Sequence, residues 1–169
     1  IEYGCFVFYE NIVGNMCEEV IIMDMHKIKA EWAALESRWY KLLFLVGLQK
    51  REGQSLSKAL NIPYLNLNRH LSEKLQNIPK ASYPLQVGEI LNKWMEEYEE
   101  TAFCLGDMEI LFDKQLQQHP IRLLENLSKR FKLIVCWPGQ YDGKSLTYAI
   151  PAHPEYFTCS DFEGIVITV

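Results

Sequence analysis

The sequence predicts an α/β fold with a mainly parallel sheet, and two kinds of pattern support this prediction. Short, unbroken apolar runs of the kind that form buried parallel strands occur at residues 42–46 and 133–137. Between such runs lie longer segments whose apolar residues recur at helical spacing, for example over residues 87–98. Strands that alternate with helices indicate a parallel sheet covered by helices on both faces. We therefore expect a three-layer sandwich.

Composition and charge are those of a globular domain. Of the 169 residues, 49% are hydrophobic and 23% charged, and the net charge is −5. Residues 1–25 hold five acids and no Lys or Arg, which leaves 17 acids against 17 bases in residues 26–169. A segment with equal numbers of acidic and basic residues lacks the positive electrostatic field that attracts nucleic acid. We therefore do not expect the isolated chain to bind nucleic acid. We assign residues 1–25 to an N-terminal extension of uncertain role and residues 26–169 to a single domain.

Cysteine spacing and hydropathy indicate a cytoplasmic protein. The five cysteines are widely spaced without a C-x-x-C pair, so neither a disulfide framework nor a structural metal is expected. No apolar run reaches the roughly 18–20 residues that a membrane-spanning helix needs. The N-terminus also lacks the basic flank and long apolar stretch of a secretion signal.

The first half of the chain predicts helices and strands in alternation. A helix is expected over residues 26–39, because the following apolar residues share one face and suit core packing: Ile28, Trp32, Leu35 and Trp39. The strand at 42–46 leads into a polar loop at 47–53 and a helix that opens at Gln54 and Ser55. A strand at 62–67, a short helix at 70–75, a loop at 79–84 and the helix at 87–98 follow.

The second half continues the alternation. A buried strand is predicted at residues 101–105, followed by Gly106 and Asp107. Pro120 suits the first turn of a helix that extends to residue 131. The strand at 133–137 is stopped by a Pro-Gly pair, and β-prone runs at 146–150 and 165–169 complete the predicted elements.

The polar loop after the first strand is bounded by Gly47 and Gly53. A loop between a strand and a helix N-terminus is the layout of a phosphate-binding P-loop, whose Walker A pattern is G-x-x-x-x-G-K-[ST]. Ser55 matches the hydroxyl that faces Mg²⁺. This chain departs from the pattern, because five residues separate the glycines and Gln54 stands in the lysine's place. A simple turn is the alternative explanation of the two glycines.

Two acids, Asp107 and Glu109, follow the predicted third strand. In parallel sheets ligands bind beyond the carboxyl ends of the strands, so these acids and the glycine loop are expected at one edge. An acid there can hold the water shell of Mg²⁺, and a second acid can polarise the attacking water. Because the glycine loop and the two acids are expected at the same edge, the sequence predicts a P-loop NTPase-like fold that binds ATP and Mg²⁺. Asp107 would lie at the metal, and Glu109 would be the catalytic acid.

The chain also resembles a known family over about residues 35–157. The stretches that carry the resemblance are ESRWYKLLFLVG, YLNLNRHLSEKL, LGDMEILFD, HPIRLLENLSKRFKLIVCWPG and YDGKSLTYAIPAHPEY. They are similar to BrxF, the small P-loop-containing protein of type III BREX (bacteriophage exclusion) systems. The resemblance implies a prokaryotic phage-defence component that works with other proteins of its system. Gly47, Gly53, Ser55, Asp107 and Glu109 are the residues that match the nucleotide motifs.

Gln54 leaves ATP hydrolysis open, because a neutral amide cannot neutralise charge that develops on the γ-phosphate. Lys50, Arg51 or Lys58 is a candidate to supply the charge from another position, and solvated loop cations are the alternative. We include Lys50, Arg51 and Gln54 in the predicted nucleotide site. Arg130, before the fourth strand, is a candidate to reach the phosphate of a neighbouring subunit in a homo-oligomer.

Two functions therefore compete. The first is a nucleotide-binding component of the defence system, with ATP hydrolysis compromised by the degenerate Walker A loop. The second is a non-catalytic scaffold or adaptor within the defence complex. A direct DNA-binding module is a third reading, and the balanced charge of residues 26–169 argues against it.

Overall fold

A computed structural model describes residues 25–169 of the chain. The chain divides into two compact units, Ile1–Ala34 and Leu35–Val169. The described part of the first unit is a helix, α1, over residues 25–34. The N-terminal extension predicted over residues 1–25 lies outside the described residues except for its last position. The predicted helix ends early, and Trp39, which we expected in the core, is 74% exposed beyond a 3₁₀ turn at Leu35–Ser37.

A five-stranded parallel sheet forms the centre of the second unit, in the order β2-β3-β4-β1-β8. Its strands are β1 (Leu42–Val46), β2 (Tyr64–Asn66), β3 (Ala102–Gly106), β4 (Lys132–Trp137) and β8 (Ile165–Thr168). Leu42 lies opposite Leu133 in β4, and Val46 lies opposite Trp137. The prediction of an α/β fold with a mainly parallel sheet is confirmed.

Helices cover both faces of this sheet. They are α2 (Lys50–Ala59), α3 (Leu67–Leu75), α4 (Tyr83–Glu96) and α5 (Pro120–Ser128). Alternate strand residues such as Phe44 and Phe103 form one buried cluster with Leu71, Leu91 and Leu124 from α3, α4 and α5. The opposite face packs against α2, whose Gly53 lies beside Cys136 of β4. This arrangement is compatible with a three-layer sandwich.

A small antiparallel sheet follows β4. It contains β5 (Gln140–Tyr141), β6 (Leu146–Tyr148) and β7 (Phe157–Cys159), in that order. Phe112, in a 3₁₀ turn after β3, stacks on Tyr148 at 3.9 Å between ring centroids and meets Trp137 and Phe157 edge-on. The Trp137 indole N–H donates to the Thr147 carbonyl at 3.1 Å. Aromatic contacts therefore join the two sheets.

Several predicted boundaries moved. Strand β1 coincides with its prediction, and β4 begins one residue earlier than expected. The error that matters most for the site is in α2, which begins at Lys50 and not at Gln54. Strand β2 is shorter than expected because Asn66 caps α3 by accepting a hydrogen bond from the Arg69 N–H. Within residues 25–169, none of the helices is long and apolar enough to cross a membrane.

Candidate functional site

The connection between β1 and α2 is short. It comprises Gly47, Leu48 and Gln49, after which the helix begins at Lys50. Gly47 has φ +98°, and a Cβ there would lie 2.7 Å from the Val169 carbonyl oxygen, so only glycine fits. The Glu52 carboxylate accepts a hydrogen bond from the Gln49 N–H at 2.6 Å and closes the start of the helix. The prediction of a loop extending from Gly47 to Gly53 is therefore wrong.

Gly53 lies inside α2, buried against the sheet. A Cβ at this position would lie 2.8 Å from the Cys136 sulfur and 3.5 Å from the Tyr64 ring. Cys104 Sγ lies 3.8 Å from Cys136 Sγ and 3.7 Å from the Gly53 carbonyl oxygen. The hydrogen bond with Cys136 and burial both raise the pKa of Cys104, so its thiol stays protonated. Gly53 thus serves close packing between helix and sheet.

Three further predicted site residues, Arg51, Gln54 and Ser55, are exposed on α2. The Ser55 hydroxyl donates to the Arg51 carbonyl oxygen at 2.9 Å, within its own helix. Gln54 and Ser55 lie in the second turn, whose N–H groups are bonded inside the helix and cannot face a phosphate. No hydrogen bond or ion pair within residues 25–169 joins these three side chains to Asp107.

Lys50 and Asp107, by contrast, are brought together at the carboxyl edge of the sheet. The Lys50 ammonium lies 2.9 Å from Asp107 Oδ1. Asp107 Oδ2 accepts hydrogen bonds from the Tyr64 hydroxyl at 3.0 Å and from the Asn66 amide at 2.8 Å. Asp107 has φ +46°, a left-handed conformation that Asp tolerates better than most residues. The Asp107 side chain is only 16% exposed and has donors on both oxygens.

Tyr64 crosses the end of β3 next to this carboxylate. A Cβ on Gly106 would overlap the Tyr64 hydroxyl and lie 2.6 Å from its ring carbon Cζ, so glycine makes room for the ring. Burial first, and then the hydrogen bond to Asp107, raise the pKa of Tyr64 above its ordinary value. The phenol therefore remains a proton donor to Asp107.

Glu109 is also held by the protein. The Asn68 amide donates to Glu109 Oε2 at 2.6 Å, while its carbonyl oxygen accepts from the Ile110 N–H at 2.8 Å. The Asn68 N–H in turn donates to the Asp107 carbonyl oxygen at 2.6 Å. We missed the roles of Tyr64, Asn66 and Asn68 in the sequence, although the polar residues around the end of β2 were the signal that could have shown them.

Arg130 lies away from this edge. It precedes β4, and the amino ends of parallel strands lie opposite their carboxyl ends. Its guanidinium donates to Asn92 Oδ1 at 3.1 Å and forms an ion pair with Glu96, which ties α4 to the segment after α5. The predicted trans-arginine thus has partners within its own chain.

The residues at the edge do not fit a Mg²⁺ ion. A cation bound to Asp107 would meet the Lys50 ammonium at Oδ1 and hydrogen-bond donors at Oδ2. Hard cations require several free oxygen ligands. Within the described part of the chain, no group of three or more His, Cys, Asp or Glu residues is arranged to hold a metal ion.

Comparison with protein-family models, with curated proteins and with solved structures finds no match to this chain.

Proposed function

We propose that this chain is a P-loop-like component of a bacteriophage-exclusion system and that it works as a non-catalytic adaptor. The observation that carries the proposal is that both oxygens of the Asp107 carboxylate are already bound by groups of the protein. This carboxylate is neutralised by Lys50 and receives hydrogen bonds from Tyr64 and Asn66. A carboxylate used in this way stabilises the sheet edge and holds no metal–nucleotide complex. The resemblance to BrxF supports the assignment to a defence system, and other proteins of that system are the proposed partners.

Hydrolysis of ATP has little support from the geometry. Phosphoryl transfer needs a cation at the γ-phosphate, a hydroxyl on Mg²⁺ and an acid at the metal, all at one place. Here Gln54 and Ser55 lie on the exposed second turn of α2, and the β1–α2 connection is too short to wrap a phosphate chain. One carboxylate oxygen of Glu109, Oε2, already accepts a hydrogen bond from the Asn68 amide.

Nucleotide binding without turnover is the second candidate, and one observation favours it. Of the three cations that we considered as substitutes for the Walker lysine, Lys50 contacts Asp107. Lys50 is also the first residue of α2, at the positive end of that helix's dipole, which favours an anion. A phosphate that displaced Asp107 from Lys50 would gain both partners.

Calorimetric titration with ATP, with and without Mg²⁺, separates the two candidates. The adaptor proposal predicts no saturable binding to the wild-type chain up to millimolar ATP. Saturable binding that disappears in Lys50→Met, and that is kept or strengthened in Asp107→Asn because Lys50 has lost its competing carboxylate, would overturn it in favour of the nucleotide site. Arg51→Met is the matched control, because Arg51 is a neighbouring exposed cation without a contact to Asp107.

A further inference from the structure

A groove lies between the 3₁₀ turns that follow β3 and the segment that leads into β7. Its volume is about 210 Å³, and it is partly open to solvent. That is smaller than the roughly 300–1,000 Å³ of most small-molecule sites, so it suits a side chain better than a nucleotide. The residues that matter here are Phe112, Asp113, Gln118, Glu155, Tyr156 and Phe157.

Aromatic rings form the floor and one wall of this groove. Phe112 and Phe157 belong to the cluster that joins the two sheets, with 5.6 Å between their ring centroids. Tyr156 is 38% exposed and stands at the opening. Gln118 is fixed by hydrogen bonds from its amide to the carbonyl oxygens of Pro84 and Leu116. Part of the groove lining, Phe112, Phe157 and Gln118, is therefore held in place by contacts within the protein.

The charge around the groove is negative. Asp113 and Glu155 contribute carboxylates to its lining, against one ammonium from Lys114. Tyr148, which stacks on Phe112, has a pKa raised first by burial and then by the charges of Glu155 and Glu109. The negative field thus extends to the aromatic floor. Aromatic rings next to carboxylates favour the alkyl stem and cationic head of Arg or Lys.

The segment that carries Glu155 and Tyr156 is held in shape by its own hydrogen bonds. The His153 N–H donates to the Ile150 carbonyl, and the Tyr156 N–H donates to the His153 carbonyl, at 2.8 and 3.0 Å. The Glu155 N–H donates to the His153 ring nitrogen at 3.1 Å. Ile150 is 68% exposed on this rigid segment. Exposed apolar groups that are already ordered lower the entropic cost of binding a partner.

We propose that the groove and its rim at Tyr156 bind an extended, basic peptide segment of a partner protein, whose Arg or Lys side chain enters between Asp113 and Glu155. This inference rests on the proposed adaptor function, for which it names the docking surface. The aromatic floor holds the alkyl stem of the entering side chain, and the two carboxylates hold its charge. Neighbouring apolar residues of the segment contact Tyr156 and Ile150.

The test is an NMR titration of the ¹⁵N-labelled full chain with the capped tripeptide acetyl-Leu-Arg-Val-amide. We expect saturable shift changes confined to residues 112–118 and 150–157. The acidic counterpart, acetyl-Leu-Glu-Val-amide, should cause none. In Glu155→Gln, affinity for the basic peptide should fall about fivefold, as expected when one exposed ion pair is lost. Glu99→Gln, which changes an exposed acid on another surface, is the matched control.

Equal binding of both peptides, no shift changes with the basic peptide, or unchanged affinity in Glu155→Gln would each overturn the proposal. Shift changes that depend on protein concentration without peptide would show that a second copy of the chain covers the groove, and would also overturn it. The ATP titration tests the adaptor function separately. Nucleotide binding there with a positive peptide result here would refute the function and leave the docking surface standing.

Discussion

At the scale of single residues, the site depends on groups that place Asp107 and on glycines that make room for them. Asp107 keeps a left-handed backbone because Tyr64, Asn66 and Lys50 hold its carboxylate and Asn68 holds its carbonyl. Such conformations persist only where their surroundings over-determine them. Gly106 belongs to this arrangement, since its missing side chain lets Tyr64 reach Asp107.

Gly106→Ala should therefore destabilise the protein. The added Cβ would overlap the Tyr64 hydroxyl, force the ring away and break its hydrogen bond to Asp107. We expect a loss of about 3 kcal/mol in the free energy of unfolding, measured by urea denaturation. The control is Gly88→Ala in α4, where the nearest heavy atom to the new Cβ is a Leu123 methyl at 3.4 Å. That change should gain about 0.5 kcal/mol, and equal losses in both variants would contradict the role of Gly106.

His70 gives the protein a pH dependence at the same scale. Its ring stacks on Trp94 at 3.7 Å between centroids, and burial lowers the pKa of His70 below its ordinary value of 6.5. The unfolded chain then binds the proton more tightly than the folded protein does. Stability is full above pH 6.5 and is lost as the pH falls through the folded-state pKa. Denaturation midpoints between pH 5 and 8 should show a shallower decline in His70→Gln, and an unchanged decline would refute this origin.

At the scale of elements, α2 illustrates why the sequence misplaced a helix start. Two glycines around a polar segment are typical of a loop, yet Gly53 lies inside the helix for a tertiary reason. Its missing side chain lets the helix backbone lie directly on Cys136 and beside Tyr64. Contacts between residues so far apart along the chain leave no local pattern, so spacing alone could not reveal them.

This packing can be measured with a double-mutant cycle. Gly53→Ala should cost about 1–2 kcal/mol, because its Cβ would lie 2.8 Å from the Cys136 sulfur. In a Cys136→Ala background the sulfur is gone and the same change should be nearly neutral, which gives a coupling energy of about 1–2 kcal/mol. Additive losses, measured by thermal or urea unfolding, would show that Gly53 has another role.

The sheet itself was predictable, and the site only in part. Unbroken apolar runs predicted β1 and β4 almost residue for residue, because strands that are buried on both faces consist almost entirely of apolar residues. Because ligands bind beyond the carboxyl ends of parallel strands, the loop that contains Lys50 and the acid Asp107 were expected at the same sheet edge. In the structure, the Lys50 ammonium lies 2.9 Å from the Asp107 carboxylate. The sequence did not reveal the roles of Tyr64, Asn66 and Asn68, because polar side chains at the end of a strand can cap a helix, bind solvent or hold another side chain. Only the strand order, which puts β2 beside β3, brings them to the acids.

At the scale of the whole molecule, the parallel sheet and the small antiparallel sheet share one aromatic cluster. Phe112 contacts Trp137 of β4, Tyr148 of β6 and Phe157 of β7. Phe44 extends the cluster into β1 through an edge-on contact with Trp137 at 5.8 Å. Because a three-stranded sheet of two- and three-residue strands buries little area alone, it depends on this cluster for its stability.

In the wild-type chain, the two sheets should therefore unfold in one cooperative step. Phe112→Ala should let the small sheet unfold while the parallel sheet stays folded. In the wild-type chain, hydrogen exchange of amides in β6 should report the same opening free energy as amides in β4. Phe112→Ala removes the stacked ring and costs about 3–5 kcal/mol. Its effect should fall first on β6 and β7, whose amides then exchange through a local opening while β4 stays protected.

The control is Tyr98→Ala, which removes a partly exposed ring from the edge of Phe103. It should lower the protection of all amides equally and by less. If β6 already exchanged much faster than β4 in the wild type, the small sheet would be an independent unit, and the docking groove would rest on a mobile wall.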